Sequence, residues 1–260
     1  MLSVQGAIFI YVFTTGKIFK SRYDNAMSNK LYLIPNFVSE EGLDVIPGYV
    51  ARVVWSLRTF FVEDPKSARH LLKYLNPNFP LQECLFFPWN EHTKPGQTQQ
   101  YLNIIKEKNV GIISESGCPC VADPGADLVF LAHKHDIDVV PLVGPSAILL
   151  SLMASGLGGQ NFAFNGYLPK EIKARSTKIK SLEKRSFQEK QTQIFMDTPY
   201  RNQNVLEDVL KACDDKTFLC VSCDATGTEQ YIKTKTIKEW KKAGLQLPKK
   251  PALFIISKVS

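Results

Sequence analysis

Short apolar runs alternate with amphipathic stretches along the first half of the chain. Residues 31–34, 60–62, 85–87, 110–114 and 139–142 are brief and rich in Leu, Ile, Val and Phe, the pattern of buried strands. Between them, 48–58, 65–75, 97–108 and 124–135 carry the spacing of a helix face. Val50, Val53, Val54 and Leu57 form the first stripe; Tyr101, Leu102, Ile104 and Ile105 turn inward in the third; Leu128, Leu131, Ala132 and His135 line the fourth. Pro65 suits a first helical turn, and Asp123 in Asp-Pro-Gly reads as a cap for the helix at 124–135. Such alternation predicts a mainly parallel sheet with helices on both faces.

Residues 146–155 are apolar on nearly every side, which predicts a buried helix stopped by Gly156. Gly158 and Gly159 then mark a boundary between an N-terminal α/β domain, 27–157, and a C-terminal α/β domain, 158–260. The second half reads as strand 162–164, a basic helix, strand 193–196, helix 202–212, strand 217–222, a Lys-rich segment with Tyr231 and Trp240, and strand 252–256. Three or four strands with fewer intervening helices predict a smaller, mixed sheet. Before all this, the apolar run 7–13 is too short to span a bilayer and has no basic residue ahead of it. Met27 is therefore read as the working start, residues 1–26 as an extension, and the cytoplasm as the default location.

Composition adds limits. With 44% hydrophobic and 22% charged residues in 260, the chain is built to fold rather than remain disordered. The net charge of +7 is uneven: 170–190 holds eight basic residues against three glutamates, and 231–250 holds seven lysines against Glu239. Either block suits a polyanion such as RNA, or is simply a solvated face. Cys220 and Cys223 have CxxC spacing, but in a strand they point to opposite faces, so buried structural cysteines are expected rather than a metal site. His133 and His135 likewise cannot share a face.

The chemistry-bearing feature is a pair of small-residue loops. Residues 114–125, S-E-S-G-C-P-C-V-A-D-P-G, follow one apolar run, and 143–147, V-G-P-S-A, follow the next. Two such loops on adjacent strand ends build a ligand site in an α/β protein. Neither a Gly-Lys-Ser/Thr loop nor a GxGxxG turn is present, which disfavours nucleoside triphosphates and dinucleotides. A smaller adenosine ligand bearing an amino acid, such as S-adenosylmethionine, needs neither.

Taken in order, 114–125, V-P-L-V-G-P-S-A at 140–147 and A-S-G at 154–156 resemble the tetrapyrrole methylase superfamily of S-adenosylmethionine-dependent methyltransferases. E-D-P-K-S-A-R at 63–69, N-E-H at 90–92, F-N-G-Y-L-P at 164–169 and D-T-P-Y-R at 197–201 are similar to its ribosomal RNA small subunit methyltransferase I group. The chain departs from that group at Glu115, at Cys118 and at Lys250-Pro-Ala, and in the loop after the first strand. The resemblance implies a homodimer of two α/β domains with the cofactor in the cleft between them. It implies cofactor contacts from Ser114, Glu115, Ser116, Gly117, Cys118 and Pro119, from Gly144, Pro145, Ser146 and Ala147, and from Tyr167, Leu168, Pro251 and Ala252. It also implies a ribose 2′-hydroxyl of ribosomal RNA, in or from the small ribosomal subunit, as acceptor, without metal or membrane. A tetrapyrrole or other small-molecule methylase, and an RNA-binding relative without catalysis, remain alternatives.

Methyl transfer from a sulfonium is an in-line displacement, so alignment supplies much of the acceleration. A ribose hydroxyl also needs a base nearby. Glu63, Asp64, Glu91 and His92 end two neighbouring strands and are the catalytic candidates, with Lys66 and Arg69 as phosphate holders. The plainer reading makes Glu63 and Asp64 helix caps and His92 a loop histidine.

Overall fold

The computed structural model describes residues 29–39, 44–90, 93 and 95–258. The expected start at Met27, the extension before it, and the candidates Glu91 and His92 lie outside the described residues.

Strands β1 (Lys30–Ile34), β2 (Thr59–Val62), β3 (Leu85–Pro88), β4 (Val110–Ile113) and β5 (Asp138–Pro141) form one sheet in the order β3-β2-β4-β1-β5. Every pairing in it is parallel. Successive side chains face opposite sides, as the two-residue period requires. Ile34, Phe60, Val62 and Ile113 therefore pack with Val50 and Val54 of α1 (Gly48–Trp55) and Leu71 and Leu72 of α2 (Pro65–Leu75). On the other face Leu31, Phe61, Val110 and Ile112 meet Leu102 and Ile105 of α3 (Pro95–Glu107) and Leu128 and Ala132 of α4 (Ala126–Lys134). β4 is inserted between β2 and β1, so the loops leaving β1, β2 and β4 converge at one carboxyl edge, where open parallel sheets bind ligands.

The second sheet is mixed. Its strands β6 (Phe162–Tyr167), β7 (Thr192–Asp197), β8 (Phe218–Cys223), β9 (Tyr231–Thr236) and β10 (Ala252–Ser257) run β6-β7-β10-β8-β9, with only β6 and β7 parallel. It has five strands, not the expected three or four. The additional one is β9, whose lysines obscure it in the sequence; it sits at the edge, where lysine blocks further pairing. One face is covered by α6 (Ile172–Glu189), α7 (Asn202–Ala212) and α8 (Ile237–Ala243), around Phe195, Phe254 and Trp240. Cys220 and Cys223 fall in different core clusters on opposite faces, both fully buried.

Two expectations are corrected. The helix α5 (Ala147–Ser155) is not buried all round: Leu149 and Met153 are exposed, and only Ser151, Leu152 and Ser155 are buried. It lies on the open face of the second sheet, with Leu152 against Ile194, Cys220, Leu253 and Ile255. Asp123 does not cap α4. That helix starts at Gly125, which takes φ 122° and supplies no side-chain bond. Among the described residues, no helix is long and apolar enough to cross a membrane.

The seat of α5 holds a buried pair of hydroxyls, Ser151 donating to Ser222 at 2.7 Å. Removing one leaves the other without that partner, a loss of about 1–3 kcal/mol, whereas removing both is close to neutral. Ser151→Ala and Ser222→Ala should each lower stability in urea unfolding, and the double substitution should recover most of it.

Candidate active site

The site is assembled at the carboxyl edge of the first sheet by one amide. Asn36, which is 2% exposed just past β1, donates from Nδ2 to the carbonyls of Ser114 (2.9 Å) and Glu115 (3.0 Å) and to Ser67 Oγ (3.0 Å). Its Oδ1 accepts from Phe37 N at 2.8 Å. Two backbone bonds continue the lacing: Asn36 N donates to Gly117 O at 2.8 Å, and Gly117 N to Phe37 O at 3.0 Å. Gly117 has φ 65°, a conformation that glycine adopts without the Cβ penalty. Asn36 belongs to the loop after the first strand but is not among the site candidates that the sequence offers; an asparagine straight after an apolar run is its only signal there.

The second small-residue loop docks on the first. Cys118 Sγ donates to Pro145 O at 3.4 Å. Gly144 passes so close to Pro35 that a Cβ there would sit 2.2 Å from the proline Cβ. Ser146 caps α5 through Leu149 N. Pro119 and Pro145 are buried beneath these turns, and Ala147 opens the helix.

Glu63, at the end of β2, accepts from Glu115 N at 3.1 Å. Asp64 is occupied as the cap of α2, accepting from Ser67 N at 2.7 Å, as the plainer reading held. Asp123 turns to this cluster instead of to α4. Burial first, then repulsion from Glu63 and Glu115, raise its carboxyl from 3.8 to about 7, and a hydrogen bond with Ser114 opposes this. Glu115 is raised by burial and then by Glu63 and Asp64. The Tyr167 phenol is raised by burial first and then by the charges of Asp123, Asp197 and Glu63. The carboxylates acting on Asp123 bring only negative charge.

Across a cleft of about 900 Å³ stands the end of the second sheet. Asp64, Glu115 and Ser116 line it from one side, Asp224 and Pro251 from the other. Lys66, His70, Lys249 and Lys250 give it a basic rim. Ser39 Oγ donates to Asp224 Oδ1 at 2.9 Å, a buried bond tying the two sheets together. Leu168 and Ala252 are buried in the core of the second sheet, and neither is among the residues that line the cleft. Arg69 is diverted from phosphate holding: its guanidinium lies 4.8 Å over the Phe86 ring. Much of the charge in the two basic blocks is also engaged, with Arg175 buried against Asp208 (2.6 Å) and Lys241 paired with Asp215 (2.6 Å).

A sequence profile described as Tetrapyrrole (Corrin/Porphyrin) Methylases matches residues 44–241. The chain belongs to this family. Its members are S-adenosylmethionine-dependent methyltransferases, in line with the cofactor inferred from the loops. The chain is similar to the ribosomal RNA small subunit methyltransferase I of Haemophilus influenzae, at 30% identity over 68% of this chain and 61% of that protein. It is also similar to that of Vibrio cholerae, at 28% identity over 80% and 69%. It thus spans roughly two thirds of the length of these relatives. Among solved structures, the methyltransferase CobJ (TM-score 0.59, 14% identity, 89% of this chain and 95% of that one) and diphthine synthase (TM-score 0.59, 12% identity, 88% and 90%) share its fold.

The residues suit the family's cofactor, whose sulfonium and ammonium are cationic: the pocket concentrates carboxylates beside a loop pair tight enough to bring backbone against a ligand. Asn36→Ala would leave the Ser114 and Glu115 carbonyls without their donor and loosen that loop. A stability loss of about 1–3 kcal/mol is expected, together with a weaker calorimetric affinity for S-adenosylmethionine.

Proposed function

We propose that the chain transfers a methyl group from S-adenosylmethionine to a ribose 2′-hydroxyl of ribosomal RNA. The observation that carries this reading is the charge around the cleft: a cluster of Glu63, Glu115 and Asp123, of which Glu115 lines the cleft, for a cationic cofactor, beside a lysine rim for a polyanionic acceptor. The small-subunit methyltransferases among its relatives support the same acceptor class.

In this reading the turns at 114–119 and 144–147 hold the cofactor through backbone, with Tyr167 and Pro251 closing it from the second sheet. The cofactor supplies the methyl group; the protein aligns the acceptor and handles its proton. Glu63 and Asp123 are the carboxylates placed to take that proton, and Asp123, poised near neutrality, exchanges it most readily at physiological pH. Asp64 acts structurally, as the cap of α2. Glu91 and His92 stay candidates on sequence grounds. The exposed Val143, Leu149 and Met153 support the homodimer, and a ribosomal acceptor would place the enzyme in the cytoplasm.

The direct test is labelled-methyl transfer to small ribosomal subunits from a strain lacking the gene. Incorporation into RNA is expected, and unlabelled subunits would end the RNA reading.

Asp123 supplies a pH test. Because its carboxyl is raised on folding, the stability present below about pH 4 declines as pH rises towards 7 and then levels off. Asp123→Asn should match the parent near pH 4 and exceed it at pH 8 in denaturant unfolding. Ionised Asp123 favours the cationic cofactor, so parent affinity for S-adenosylmethionine should tighten from pH 6 to 8. S-adenosylhomocysteine, whose sulfur is uncharged, should respond less. A flat profile would remove Asp123 from the cofactor's surroundings.

A further inference from the structure

The turn between β7 and α7 spends its polar side chains on structure and leaves one ring outside. Arg201 pairs with Asp197 at 3.0 Å and donates to the carbonyls of Leu168 (3.3 Å) and Pro169 (3.1 Å), so this turn and the Tyr167 segment form one rigid unit. Between Asp197 and Arg201, Tyr200 is 81% exposed, the most exposed of the large hydrophobic side chains described. Lys249 lies over its ring, Nζ to centroid 5.8 Å, and lines the cleft. The backbone just after Lys249 is held at two successive carbonyls. Asn202 Nδ2 donates to Lys250 O at 2.9 Å, and Asp224 N to Pro251 O at 2.9 Å. An aromatic face and an ammonium are thus presented together, in fixed register, at the rim of the cleft. Lys66, on the first turn of α2, lines the same cleft from the other sheet.

Apart from its contact with Lys249, the Tyr200 ring stands largely in solvent. A flat aromatic beside ammonium groups is the combination by which proteins take single-stranded nucleic acid: the ring stacks on a base and the lysines meet phosphates. A folded RNA helix would not offer an unstacked base.

We propose that Tyr200 and Lys249, with Lys66 on the facing wall, form a subsite for single-stranded RNA next to the acceptor nucleotide. A neighbouring base stacks on Tyr200, and the lysines hold the flanking phosphates. This rests on the RNA reading above and adds to it the strand geometry and the residues that read it.

The test uses the full chain and a short unstructured oligoribonucleotide followed by fluorescence polarisation, with calorimetry of S-adenosylmethionine as the control for folding. Tyr200→Ala should weaken oligonucleotide binding roughly five- to hundredfold, the loss typical of one stacked base. Tyr200→Phe should retain it, and all variants should bind the cofactor as the parent does. Lys249→Ala and Lys66→Ala should each lower the slope of log affinity against log salt by about one. Three results would overturn the subsite: unchanged RNA binding in Tyr200→Ala, a loss of cofactor affinity in that variant, or a change in its sedimentation that makes the ring a contact between copies of the chain. If subunits are still methylated in the first case, the subsite falls and the RNA methyltransferase reading stands. If the parent neither binds the oligonucleotide nor methylates subunits, that reading falls as well.

Discussion

The site depends on how the buried amide of Asn36 is satisfied. Three separate segments meet at the carboxyl edge of the first sheet: the exit of β1, the start of α2 and the turn after β4. None is regular there, so their backbone polar groups need partners from outside a ladder. Asn36 provides them, donating to Ser67, Ser114 and Glu115 while its own oxygen accepts from Phe37. Because β4 lies between β1 and β2, this single side chain spans the strand ends that border the pocket. The left-handed Gly117 and the close packing of Gly144 on Pro35 complete a turn pair with little freedom.

A rigid anchor of this kind permits electrostatic tension beside it. Glu63, Glu115 and Asp123 repel one another in a partly buried place, and the fold holds Asp123 near neutrality instead of relaxing it. In the proposed reading a bound cation relieves that tension and couples cofactor binding to proton release. Strain stored at a binding site and supported from elsewhere is a common pattern in functional pockets. Here the support is the Asn36 network and the Ser39–Asp224 bond between sheets.

The second half contributes two of the lysines at the cleft. Its lysines are less available than their number suggests, since Lys241 is paired and Lys235 sits 5.2 Å over Trp240. At the cleft, Lys250 lies 3.8 Å from both Asp224 and Glu229, and it shares with Lys249 a loop tied to Asn202 of α7 and to Asp224 just past β8. Both sides of the cleft therefore carry both signs, with Lys66 and Glu115 on the side of the first sheet and Lys249 and Asp224 on the side of the second.

The strands and helices of the first half, its parallel character and the ligand-loop pair were legible because buried strands and amphipathic helices carry their own periodicity. Position along the chain also brought Glu63 and the 114–119 turn to the correct edge. Long-range partners were not legible. Asp123 looked like a local helix cap, yet its carboxyl faces groups sixty residues distant; α5 looked buried, yet one face of it is open, because the sheet it covers belongs to the other half of the chain. β9 was hidden by its lysines, which suit an edge strand but mask its alternation. Local pattern reports which residues avoid water. Which polar group meets which, and with what proton affinity, follows from how distant segments are brought together, and that is where the charge pattern of the cleft arises.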